Sequence, residues 1–128
     1  MNKATFNNAG HKDRWEQALR KVKGVNEDNG LVGSDYATSL YILTAEAELY
    51  ERLEEHIHAR WIDFDEMLHM GLSSGESILV ALAGNLYNGG FFHERCHTPL
   101  DIATRLDEDG MTLALRAIAM RKRETCIC

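Results

Sequence analysis

Apolar positions along this chain recur at helical intervals. His11, Trp15, Ala18 and Val22 are spaced four, three and four apart, which places them on one face of a helix expected over residues 9–23. Asn7 or Asn8 is its expected cap, because a short side-chain oxygen can accept from an unpaired N–H. Gly24 is its expected stop. A polar, glycine-interrupted loop follows to Ser34. A long central helix is then expected over residues 35–56. Tyr36, Leu40, Leu43, Ala47, Tyr50 and Leu53 line one stripe, with Ile42, Ala45 and Leu49 beside it. Glu51, Glu54 and Glu55 mark its wet side.

Capping signals divide the second half. Asp63 with Glu66 opens a short helix over 64–70, and Ser73 with Glu76 opens another over 74–88. The second is apolar on most sides, from Ile78 through Leu86, which predicts burial against several elements or another subunit. Asn88-Gly89-Gly90 ends it. Thr98-Pro99 restarts the chain, with proline at the first helical position, where its missing N–H costs nothing. That helix ends near Leu106. Asp107 caps a last helix reaching about Glu124, with Met111, Ala114, Leu115 and Ile118 as its expected inner face. No segment of useful length alternates with the period of a strand. The pattern therefore predicts an all-α bundle of about five to six helices. One domain spans residues 1–128, with 1–8 and 125–128 read as flexible tails.

Composition narrows what such a bundle does. The 128 residues are 45% hydrophobic with a single proline, which suits one globular domain rather than a disordered chain. The net charge of −6 opposes nonspecific nucleic-acid binding, which depends on neutralised phosphates. Acidity concentrates at Glu51, Glu54, Glu55, Asp63, Asp65 and Glu66. That band reads either as a solvated face or as a surface for a basic partner or a mimic of nucleic-acid charge. The three cysteines, without a secretory leader in the first residues, argue against a disulfide scaffold, and no apolar run reaches the roughly 18 residues of a membrane span. The cytoplasm is the expected location.

Candidate chemistry is sparse. His93, Cys96 and His97 carry zinc-type donors that Cys126 and Cys128 could complete, but their spacing matches no common zinc module. Cys96 beside two histidines is also a conceivable thiolate nucleophile. His56 and His58, with Glu54, Glu55 and His69, lack the spacing of a helical metal motif. Phosphate-binding loops, nucleophile elbows and calcium loops are absent from the sequence. Basic clusters at Lys12–Lys23 and Arg116–Arg123 suit solubility and helix-dipole compensation, or a phosphate-bearing ligand.

The residues also resemble a family. His11 with Arg14-Trp15, Asp35-Tyr36, Leu40-Tyr41-Ile42-Leu43-Thr44 and Glu48-Leu49-Tyr50 are similar to domain of unknown function 6075. So are Ser73-Ser74-Gly75-Glu76, Asn85-Leu86-Tyr87-Asn88, Thr98-Pro99-Leu100-Asp101, Leu106-Asp107 and Ala117-Ile118-Ala119-Met120-Arg121. The likeness spans about residues 9–123. It implies a small protein of Gram-positive bacteria, their phages and mobile elements, and it transfers no reaction or catalytic residue. Such proteins often act by binding, which is an association and not a physical warrant. The expected function is a non-enzymatic binding protein without cofactor, an inhibitor of a host defence system acting on a host protein. A homodimer or higher oligomer is an added expectation, motivated by excess apolar helix surface. One alternative is a nucleotide sponge using Asn85, Asn88, Arg116 and Arg121. A second is a zinc-dependent protein using His93, Cys96 and His97.

Overall fold

The computed structural model describes residues 6–22, 34–90 and 98–125. Seven α-helices lie among them: α1 (His11–Lys21), α2 (Ser34–Leu43), α3 (Ala47–Leu53), α4 (Phe64–Leu68), α5 (Ser74–Asn88), α6 (Pro99–Arg105) and α7 (Glu108–Thr125). A 3-10 turn, Glu54–His56, extends α3. No strand occurs among the described residues; one isolated antiparallel bridge joins Ile57 and Ile62. The fold is all-α, as the periodicity predicts.

α2 is the axis of the structure. Every residue from Tyr36 to Ala45 is buried, so this helix has no wet face. It packs against α5, α7 and α1, while α4 and α6 pack onto α5. Small side chains permit these close approaches: Thr38 and Ser39 on α2, Ala81, Ala83 and Gly84 on α5, and Ala114 and Ala117 on α7 are all buried. Ser39 Oγ donates to the Ala83 carbonyl at 3.1 Å, tying the two central helices directly. The buried side chains form one hydrophobic cluster that also takes in Leu53, Ile57, Ile62, Phe64 and Met67.

Local signals set most helix starts. Ser73 and Glu76 form a reciprocal capping box on α5, and Gly89 closes that helix in the left-handed conformation at φ 78°. Thr98 and Asp101 form a second box on α6, with proline in its first turn. Asp63 accepts from the Glu66 N–H to open α4. Asp107 Oδ1 accepts from the Gly110 N–H at 2.7 Å to open α7.

Four sequence expectations are corrected. The helix expected over 35–56 is broken at Thr44-Ala45-Glu46, where α2 ends and α3 begins. The carbonyls freed at the break are taken by Arg14 of α1 and by Asn8 just before it. Arg14 Nε donates to the Thr44 carbonyl at 2.8 Å and its Nη2 to the Ala45 carbonyl at 2.8 Å. Asn8 Nδ2 also donates to the Ala45 carbonyl, at 2.7 Å. Those oxygens would otherwise accept from Glu48 and Leu49 in a continuous helix. Second, Gly10 occupies the cap position of α1 without a side-chain bond, and the Asn8 carbonyl accepts from the His11 N–H at 3.2 Å. Third, Phe6, Asn7 and Asn8 are bonded onto the body rather than forming part of a tail. Fourth, the inner face of α7 is turned by about one residue: Leu113, Ala114, Ala117 and Met120 are buried, while Leu115 and Ile118 are 57% and 41% exposed. Of the expected face, Ala114 is buried and Met111 packs against the core, so the correction concerns Leu115 and Ile118.

Candidate functional site

The break after α2 redirects the chain and sets up the most exposed aromatic feature among the described residues. α3 turns Leu49, Tyr50 and Leu53 inward and leaves Glu51, Glu54 and Glu55 in solvent. Beyond the 3-10 turn the chain doubles back through His58-Ala59-Arg60-Trp61. Buried Ile57 and Ile62 pair across the base of this turn. The His58 N–H donates to the Trp61 carbonyl at 2.8 Å, and the Asp63 N–H donates to the His56 carbonyl at 2.9 Å. The Tyr36 hydroxyl, from the first turn of α2, donates to the Arg60 carbonyl at 2.8 Å. The His58 and Trp61 rings stack with centroids 4.5 Å apart. The result is a pinned turn that carries an indole 51% exposed to solvent.

Aromatic rings support the turn from below. Tyr87 meets Tyr36 edge-on at 5.1 Å and lies 5.6 Å from Phe64. Burial, the neighbouring Tyr36 phenol and the Asp35 charge all push the Tyr87 phenol far above its ordinary range. It therefore stays protonated near neutrality and makes a supporting group, not a proton donor of useful acidity.

The turn also joins the two halves of the acidic band. Glu54 and Glu55 precede it, Asp65 and Glu66 follow it, and α4 packs against the 3-10 turn. Glu51, Glu54, Glu55, Asp65 and Glu66 are exposed, whereas Asp63 is engaged as the α4 cap. Trp61 carries no sequence signal of this kind: it falls in a short aperiodic stretch, and its exposure follows from the turn that presents it.

The histidines around this turn do not converge. His56 Nε2 lies 3.3 Å from Glu55 Oε1, His58 stacks on Trp61, and His69 Nδ1 contacts the Asp65 carbonyl at 2.6 Å. Among the described residues no group of three or more His, Cys, Asp or Glu side chains could hold a metal. His93, Cys96, His97, Cys126 and Cys128 lie outside the described residues.

Of the residues considered for a nucleotide, three meet at the end of α5, where they serve the backbone. Asn85 Nδ2 donates to the Gly90 carbonyl at 3.1 Å, and Asn88 Oδ1 accepts from the Gly90 N–H at 2.9 Å. Arg121 Nε donates to the Leu86 carbonyl at 3.0 Å. Arg116 lies instead against the Tyr41 phenol. Two basic residues of α1 are occupied in the same way: Arg14 holds the end of α2, and Lys21 Nζ donates to the Glu54 carbonyl at 2.9 Å.

No helix among the described residues is long and apolar enough to cross a membrane. Compared with protein-family models, curated proteins and solved structures, the chain matches none.

Proposed function

We propose that the protein is a non-enzymatic binding protein whose partner docks on the Trp61 turn and the carboxylates beside it. The observation that carries this reading is the half-exposed indole on a turn held by a bridge, a ring stack and the Tyr36 hydrogen bond. A large aromatic held in place before binding loses little freedom on association, and tryptophan is enriched among residues that dominate interface energy. Exposed Glu54, Glu55, Asp65 and Glu66 favour a cationic protein segment, whose Lys or Arg can also sit over the indole. The resemblance in sequence gives this partner a setting: a host protein blocked by a small protein of a phage or mobile element.

Affinity capture from a Gram-positive host lysate tests the proposal. A specific partner should be retained by the native chain and lost from Trp61→Ala, with Kd weakened ~30-fold, equivalent to about 2 kcal/mol. Glu54→Gln with Glu55→Gln should slow association and reduce its salt dependence. Equal retention by native and Trp61→Ala protein would sink the assignment of this surface.

A second reading is self-association through α7, favoured by the exposure of Leu115 and Ile118. Light scattering separates the two. A dimer abolished by Leu115→Glu supports it, and a monomer at all concentrations removes it.

A further inference from the structure

We propose that residues 6 and 7 form a strap latched to the body by neutral His11, and that protonation of His11 releases it. The geometry fixes the form of this histidine. Its ring is completely buried. Nδ1 accepts from the Asn7 backbone N–H at 3.0 Å, so that nitrogen carries no proton. The proton resides on Nε2, which donates to the Tyr41 carbonyl at 2.7 Å. His11 thus joins the strap on one side to α2 on the other.

The strap itself is shaped to the site. Phe6 meets the His11 ring edge-on at 5.2 Å, lies 5.7 Å from Trp15 and meets Tyr41 at 6.0 Å. His11 in turn stacks on Tyr41 at 4.7 Å. The Asn7 side chain adds an exposed bond to Glu46 Oε1 at 3.2 Å.

A protonated ring cannot keep this arrangement. Nε2–H still satisfies the Tyr41 carbonyl, but a new Nδ1–H faces the Asn7 N–H, donor against donor. The titratable and charged groups that face His11 are Arg14 on its own helix, Tyr41 on α2 and Arg116 on α7. None supplies negative charge near neutrality. Burial, followed by the two guanidinium charges, outweighs the Tyr41 hydrogen bond and holds the imidazole below its ordinary 6.5. Moving the strap aside relieves both the donor clash and the desolvation. Asn8 remains tied to Ala45 and Arg14, so the release begins at Asn7 and takes Phe6 with it.

Nuclear magnetic resonance on the full chain, titrated from pH 8 to pH 4, tests the latch. At pH 8 the His11 nitrogens should report the Nε2–H tautomer. As pH falls below 6.5, opening at the Asn7 amide, corrected for intrinsic exchange, should rise up to about tenfold per unit until His11 is charged in the closed state. The Leu40 and Val80 amides should keep their protection. Uptake of a proton at His11 with Asn7 unmoved overturns the proposal. So does loss of Leu40 and Val80 protection in step with Asn7, which would be unfolding rather than release. His11→Asn offers an acceptor oxygen without a titrating charge and should flatten the Asn7 response; a full response there also overturns it. The titration of the unsubstituted chain decides the matter whether or not that variant folds.

Discussion

At the residue scale, α2 shows how strictly its core is matched and where the match fails. Ser39 and Thr44 are completely buried, yet each hydroxyl donates to a carbonyl, Ser39 to Ala83 and Thr44 to Leu40. Thr38 is equally buried, and among the described residues its Oγ1 is the buried side-chain polar atom without a partner. An unpaired hydroxyl in an apolar site costs about 1–3 kcal/mol of desolvation. Thr38→Val keeps the branched shape and removes that cost. It is expected to raise stability by about 1 kcal/mol in chemical denaturation. A clear loss would mean that the hydroxyl has a partner.

At the element scale, the end of α2 is made by Arg14, a residue of another helix. The fork of one guanidinium takes two carbonyls that lie at the negative end of the helix dipole. Arg14→Ala leaves them to Asn8 and water, and is expected to cost about 1–3 kcal/mol. Arg14→Lys, with one compact charge, should recover only part of it; full recovery would count against the bidentate role. This contact also marks what the sequence can and cannot convey. The caps at Asp63, Ser73, Thr98 and Asp107 were legible because each partner lies three residues away. The break at Thr44-Ala45-Glu46 was not, since it holds no glycine or proline and its cause lies 30 residues upstream. The face of α7 was misplaced only in part. Met111 and Ala114 of the expected face do turn inward, but Leu115 and Ile118, placed there for their hydrophobicity, point out, and Leu113, Ala117 and Met120 are buried instead. His11 was legible as part of a buried face, while its two hydrogen-bond partners were not. The acidic band was visible as composition; the indole standing within it required the turn.

At the scale of the whole molecule, buried titratable groups set a window of stability. His11 is held below 6.5 mainly by burial, so its contribution is present above that value and is lost as pH falls toward its folded pKa. The phenols of Tyr41, Tyr50 and Tyr87 are raised above 10.0, also mainly by burial. Their contribution is complete below about 10 and is lost as pH rises through their folded values. The urea midpoint is therefore expected to decline on both sides of a plateau between these limits. Folded protein should also show tyrosinate absorbance later than unfolded protein. A midpoint that rises from pH 6.5 to 5.5 would contradict the account of His11. The Arg14 contact, too, reaches this scale. The stretch 34–56 has no glycine or proline at its corner; its one local contribution is the Thr44 hydroxyl bonded back to the Leu40 carbonyl, and the carbonyls freed there are taken by Arg14 of α1. A peptide of residues 34–56 in a helix-favouring solvent is expected to give unbroken sequential contacts through Thr44 and Glu46, and an interruption there would place the bend in the local sequence. The direction in which α3 leaves α2, and with it the placing of Glu51 on the outer face, is thus held in part by a contact made from the other end of the chain.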